Sequence, residues 1–244
     1  MMARRSIPPA IRWTAAGTAA AVSAWCAWAG IAWLRYGRSK PHAPSDPLLD
    51  RFIPDYEVAV RHQTRVTAPA EITFPAACAL DLRQSAIVQA IFRGRELLLG
   101  VRPESELPPE PLLNWAQALG WRVLAQIPGR EIVLGAATRP WESKVVFRPL
   151  DPDGFADFNE PGYVKIVWTI VADPAGANQS VVRTETRVTT TDPASRARFR
   201  RYWAFLSPGM ILIRFAALRM VKKEAERSAH EPAARPMHSG CVRQ

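Results

Sequence analysis

Val181-Val-Arg-Thr-Glu-Thr-Arg-Val-Thr-Thr190 leads through Thr191 into Asp192-Pro193, and beyond them Phe199, Trp203, Leu206, Met210, Ile213, Ala217 and Met220 recur at steps of four and three. The first part has period two. Val182, Thr184, Thr186 and Val188 share one face, opposite Arg183, Glu185 and Arg187, which is the pattern of a strand covered on at least one side. The second part has a helical period, and its start is marked. Asp192 offers a capping oxygen and Pro193 suits the first helical position. Pro208-Gly209 falls midway along the stripe, so the spacing predicts a long kinked helix folded over a sheet rather than a coiled-coil seam.

Working back toward the N-terminus, the turn cluster Asp173-Pro-Ala-Gly-Ala-Asn178 joins this strand to Tyr163–Val171, whose Val164, Ile166, Trp168 and Ile170 form an apolar face. Trp121–Ile127, a Pro128-Gly129 turn, Glu131–Thr138 and a weaker Lys144–Arg148 precede it as further strands. A first strand carries Tyr56, Val58, Val60, His62, Thr64 and Val66 against Glu57, Arg61, Gln63 and Arg65. Between first and second strands lie helical segments: one starting near Thr67–Glu71 and interrupted by Pro75, one through Ile87, Val88, Ile91 and Phe92, and one over Leu112–Leu119 ending at Gly120. Strand, helices, antiparallel strands and a closing helix make an α+β order in which a curved sheet wraps the last helix.

The N-terminal region has a different character. Trp13 to Leu34 holds 22 residues without a charge, between Arg4, Arg5 and Arg12 on one side and Arg35, Arg38 and Lys40 on the other. As a helix it would be about 33 Å long, enough for a hydrocarbon core of about 30 Å. Trp13, Trp33 and Tyr36 stand at its ends, where amphipathic rings favour the headgroup level. The expectation is a retained single-pass anchor within residues 1–38, spanning 13–34 and leaving orientation open, because the flanking charges balance. The rival is a cleaved signal peptide, against which the long apolar run and the basic cluster after it both argue. Gly17 with Ala21 and Ala20 with Ala24 would also let two such helices pack as a homodimer. Residues 39–53, with Pro41, Pro44 and Pro47, read as an extended linker, residues 54–227 as the globular domain and residues 228–244 as a disordered tail.

Charge narrows the partners. The chain of 244 residues carries 32 Lys and Arg against 22 Asp and Glu. Residues 1–40 hold six basic and no acidic side chains, residues 195–244 eleven against three, and the body between them is net acidic. A phosphate footprint needs basic residues on the folded body, so nucleic acid is excluded as the expected partner and a bilayer surface is favoured. Arg196, Arg198, Arg200 and Arg201 crowd the first turns of the closing helix, where the dipole disfavours cations; they are expected to be solvated charges, with contact to anionic headgroups as the alternative that would account for the clash. Cys26, Cys78 and Cys241 form no C-x-x-C pair, and His238 before Cys241 has no further ligands nearby, so neither a disulfide framework nor a metal site is expected. The nucleophile elbow, the H-E-x-x-H pair, the phosphate-binding loop and the dinucleotide turn are all missing, and no cofactor is implied.

The order of elements, together with Arg61-His-Gln-Thr-Arg-Val-Thr-Ala-Pro69, Gly129-Arg-Glu-Ile-Val-Leu-Gly135, Gly162-Tyr-Val-Lys-Ile-Val-Trp168 and Thr184-Glu-Thr-Arg-Val188, resembles the START-like or SRPBCC superfamily of polyketide cyclases and lipid-transport proteins. The resemblance covers about residues 54 to 227. Pro75 departs from the regular first helix of such domains. What it implies is a helix-grip fold with a cavity between sheet and closing helix for an apolar small molecule, a lipid or polyketide-like compound. On that reading Trp168, Phe199, Trp203 and Met210 would line the cavity, although the same residues serve equally as core. Arg183 and Arg187 would hold an anionic head if their face lines the cavity, and otherwise pair with Glu185 along the strand. His62, the one ionisable group on an apolar strand face, is either a proton-transfer group or a hydrogen-bonded core histidine. Binding or shielding without chemistry is the leading expectation. The alternatives are a cyclase or dehydrase using His62 and Glu185 as acid and base, and an interaction module whose groove receives a partner segment.

Overall fold

The computed structural model describes residues 9–38, 46–98 and 110–231. Its elements in chain order are α1 (Pro9–Arg35), α2 (Pro47–Phe52), β1 (Val58–Val66), α3 (Ala70–Cys78), α4 (Ala86–Leu98), α5 (Leu112–Ala118), β2 (Arg122–Ile127), β3 (Glu131–Thr138), β4 (Phe147–Arg148), α6 (Pro152–Phe155), β5 (Val164–Gly176), β6 (Gln179–Thr190) and α7 (Pro193–His230). The strands form one antiparallel sheet in the order β1-β6-β5-β3-β2, with β4 paired to β3. This is the expected α+β arrangement, an antiparallel sheet held against a long C-terminal helix.

Register decides which side chains meet. His62 lies opposite Thr184, Ile170 opposite Thr184 on the other flank, and Ile132 opposite Ile170. The residues in step with these make one face of the sheet. It packs on α7, α3 and α5 through a cluster of Val66, Ile132, Leu134, Ile170, Ala172 and Val182 with Leu218, Val221 and Ala225. The alternate residues Val133, Val167 and Leu124 pack on Leu49, Phe52, Ile53 and Phe155 of α2, its C-cap and α6. Covered from both sides, β3 is buried at all eight positions, which is why Glu131–Thr138 reads as a nearly unbroken apolar run. Gly135 makes the second contact possible: a Cβ there would fall 2.3 Å from Leu124 Cδ1 and 2.7 Å from Phe155 Cε2.

Several expectations are corrected. The segment 39–53 is not an extended spacer throughout. Asp46 caps α2 by accepting from the Leu49 amide, Pro47 opens the helix, and Leu49, Phe52 and Ile53 are buried on the sheet, so apolar burial overrides the proline spacing; residues 39–45 lie outside the described residues. Pro75 sits inside α3 without breaking it, and α7 runs continuously across Pro208. There Gly209 lets Ile91 of α4 approach to 3.0 Å of where a Cβ would stand, while Trp28 Nε1 donates to Ser207 Oγ at 3.3 Å from the other helix. α7 ends at His230, three residues past the expected boundary, and most of the expected tail, residues 232–244, lies outside the described residues.

The strand pair β5 and β6 is also longer than read. Asp173 and Pro174 still belong to β5, and the turn is reduced to Ala177-Asn178 after Gly176, whose φ of 152° is suited to glycine.

α1 and α7 lie antiparallel. Tyr36 packs on Phe199 with ring centroids 6.1 Å apart, Arg200 donates to the Trp33 carbonyl at 2.9 Å and stacks over its ring at 4.1 Å, and Trp28 reaches Ser207. The C-terminal part of α1, from Trp28 to Tyr36 just beyond it, is therefore packed on the domain. The same pairing accounts for one of the crowded arginines. Arg200 meets a terminal carbonyl of α1, the negative end of that helix, so the adverse dipole of α7 is offset by a favourable one. The side chains of residues 9–19 and of Ala21, including the Gly17 pair, lie outside the described set. Among the described residues, the helix long and apolar enough by composition to cross a bilayer is α7, with 28% of that stretch buried.

Candidate functional site

The face of the sheet toward α7 is closed at two places and less so between them. At one end Val58, Val164, Val188 and Phe199 are buried together, with Val60, Ile166, Tyr36, Trp141, Tyr202 and Trp203 around them. At the other lies the cluster centred on Ile132, Leu134 and Ile170. Across the middle run His62, Thr184 and Thr186, in register on β1, β6 and β5 with Trp168. Trp168 Nε1 donates to Thr184 Oγ1 at 2.7 Å, and the half-buried Trp168 ring stands edge-on to Trp121, which in turn packs on Phe147 at 5.2 Å. An aromatic wall therefore leads from the β4 edge to the hydroxyls of β6.

α7 supplies the opposite wall. The buried positions Ser195, Phe199, Ser207, Leu218, Val221 and Ala225 trace its inner stripe, at spacings slightly longer than a heptad repeat. The heptad-like series ending in Met220 drifts away from that stripe, because a straight helix turns by about 20° per heptad relative to a 3.5-residue period. Arg214 falls between Ser207 and Leu218. Its Nη1 donates to the Val60 carbonyl at 3.1 Å and its Nη2 to Thr186 Oγ1 at 2.5 Å. Burial pulls its pKa down to about 10, against the attraction of Glu185 across the sheet. Beside it Phe215 meets the His62 ring edge-on, centroids 4.6 Å apart.

The residues expected to line a cavity thus separate. Trp168 packs against the cluster at one end of this face and Trp203 against the cluster at the other. Phe199 is buried in the cluster at one end, stacked with Tyr202 and Trp203, and Met210 is 39% exposed, off the packed stripe. Arg183 and Arg187 lie on the face of the sheet away from α7. Their side of β6 is covered by α2, where Arg183 pairs with Asp46 at 2.7 Å and Arg187 with Glu185 at 2.9 Å and with Asp50. Burial alone would lower the Arg187 pKa, but the hydrogen bonds it donates to Asp50 and Glu185 raise it overall. The two arginines are structural because counter-charges are already built in.

The structure does not bring the two candidate acid–base residues, His62 and Glu185, together. They lie on opposite faces of the sheet, Glu185 buried between Arg187 and Arg61 and His62 against Phe215. Among the described residues no cluster of His, Cys, Asp and Glu could hold a metal ion. The residue missed by the sequence reading is Arg214. Its signal is a cation at an inner-stripe spacing, four residues before Leu218 and seven before Val221.

No protein-family model matches the chain, and no curated protein matches it. Among solved structures it is similar to the di-domain aromatase/cyclase BexL, at 14% identity and a TM-score of 0.32 over 71% of this chain and 48% of that one, so the chain spans about half the length of that protein. It is similar to the Zhui aromatase/cyclase from a Streptomyces species, at 15% identity and a TM-score of 0.28, over 70% and 94% of the two chains. It is also similar to norcoclaurine synthase from Thalictrum flavum, in complex with dopamine and hydroxybenzaldehyde, at 12% identity and a TM-score of 0.26, over 80% and 99%. The helix-grip architecture itself rests on the strand order and on the placement of α7 described above.

Proposed function

We propose that this protein binds or shields an apolar small molecule, of the lipid or polyketide-like kind, in the groove between the sheet and α7, while α1 anchors it in a bilayer as a single-pass helix. The observation that carries the binding reading is the interval between the two apolar clusters. Thr184 and His62 are half-buried between them, and Trp168 and Ile166 are half-buried on the margins of the two clusters. Large apolar side chains with a few convergent polar groups are what a small-molecule site requires. Trp168 and Trp203 are the groove residues assigned to contact the apolar part.

Anchoring is supported by the uncharged run Trp13–Leu34 and by the exposure of Val22, Trp25, Trp28, Ile31 and Leu34 along α1, even with α7 packed beside it. The test uses the full chain. Extraction with detergent followed by mass spectrometry is expected to find one class of apolar molecule enriched over the bulk membrane extract. A bound fraction matching the bulk composition would refute the binding function. Alkaline carbonate washing is expected to leave the protein in the membrane pellet, and its release would refute the anchor.

A further inference from the structure

We propose that the groove takes an amphiphile with an anionic head, a carboxylate or phosphate, and that Arg214 is the residue that reads that head. This rests on the binding function proposed above and adds the chemical class of its ligand. The argument begins with position. Arg214 stands on the stripe of α7 that elsewhere buries Phe199, Leu218, Val221 and Ala225, at the interval where the two apolar clusters fail to meet. A guanidinium has five N–H donors, and the hydrogen bonds to Val60 and Thr186 occupy one on each terminal nitrogen.

Charge is the second step. The buried arginines of the opposite face carry counter-charges: Arg187 has Glu185 and Asp50, and Arg183 has Asp46. Lys165 Nζ is held by neutral groups, the Phe155 and Ala156 carbonyls at 3.3 and 2.6 Å, on that same face away from α7. Arg214 has neutral partners only, and no described carboxylate lies within ion-pairing distance of it. Glu185, whose charge acts on it from the far face, is already paired twice. Arg214 is half-buried; holding a partly desolvated cation without a counter-charge is costly, and a ligand anion would reduce that cost through paired, charge-assisted hydrogen bonds. Two fixed contacts hold the guanidinium fork in place, so little side-chain freedom is lost when the head arrives. The aromatic wall of Trp168, Trp121 and Phe147 then runs away from the charge toward the sheet edge, as a chain following a head would need.

The experiment is native mass spectrometry of the full-length chain released from detergent, offered a twelve-carbon acid, its methyl ester and the matching alkyl phosphate in turn. The acid or the phosphate is expected to bind the wild type about tenfold or more tightly than the ester, and the two anionic arms tell which head is preferred. Arg214→Met is expected to abolish the preference while retaining ester binding. Should that variant fail to fold, Arg214→Gln, which keeps a donor for the Val60 carbonyl without the charge, makes the same comparison. Equal binding of acid, phosphate and ester by the wild type would overturn the proposal and leave apolar binding standing. A preference that survives in a folded Arg214 variant would also overturn it. Binding of none of the three chains would overturn the function on which it rests.

Discussion

The two faces of the sheet bury charge in opposite ways. On the face toward α2, Glu185, Arg187 and Lys165 are all buried, yet each is surrounded by partners supplied by α2, α6 and the sheet itself. On the face toward α7 Arg214 is held by the Thr186 hydroxyl and the Val60 carbonyl, neither of them charged, beside half-buried residues. The alternation Arg183, Glu185, Arg187 against Thr184 and Thr186 looks in sequence as if the charged side were the interesting one. The structure reverses this. Completed ion pairs fix a scaffold, whereas an incomplete set of partners leaves room for a ligand.

The contrast breaks first at Arg187. Arg187→Ala leaves Glu185 and Asp50 without their shared cation and frees the Ile53 carbonyl, and the expected loss is about 3–5 kcal/mol of stability, read by chemical denaturation. Arg187→Met, which restores volume without charge, should be nearly as damaging because Glu185 stays buried. If either variant is as stable as the wild type, the α2 face is not the scaffold described here. A milder strain on the same face is Gly135→Ala. Its new methyl would collide with Leu124 and Phe155, costing roughly 1–3 kcal/mol and leaving headgroup preference in the groove unchanged. A stabilised or unaffected variant would show that the two layers are not in close contact.

Much of this architecture was legible beforehand. Period two in Val181–Thr190 and the Asp192-Pro193 signal placed the last strand and helix almost to the residue, because capping and alternation are local properties. α2 was not legible. Six residues, one of them proline, carry too little periodicity to announce a helix, and only burial of Leu49 and Phe52 on a sheet formed by distant residues selects it. The groove was half legible. Trp168 stood out as an aromatic on an apolar strand face, but the side taken by Arg183 and Arg187 depends on carboxylates in α2 more than 130 residues away. Arg214 was hidden by the heptad-like spacing of its neighbours, which points to a stripe slightly rotated from the one that packs.

The smallest expected effect separates paired from unpaired charge on the α2 face itself. Glu131 lies on that face opposite Val171, buried, and its Oε1 has no hydrogen-bond partner among the described residues. Burial raises its pKa, the charge of Asp46 adds to the rise, and Arg183 opposes it. A carboxyl shifted upward favours the protonated form in the folded state, so its contribution is favourable below its unfolded value and is lost as pH rises through the folded one. At neutral pH the ionised group is therefore a burden. Glu131→Gln removes the charge and keeps the shape, and it should raise Tm by roughly 2–4 °C at pH 7.5, the equivalent of about 1 kcal/mol in a chain of this size. The gain should shrink as pH falls toward 4, where the wild-type carboxyl becomes neutral by itself. A gain independent of pH would assign the effect to packing, and a loss at neutral pH would mean that Arg183 needs Glu131 as well as Asp46.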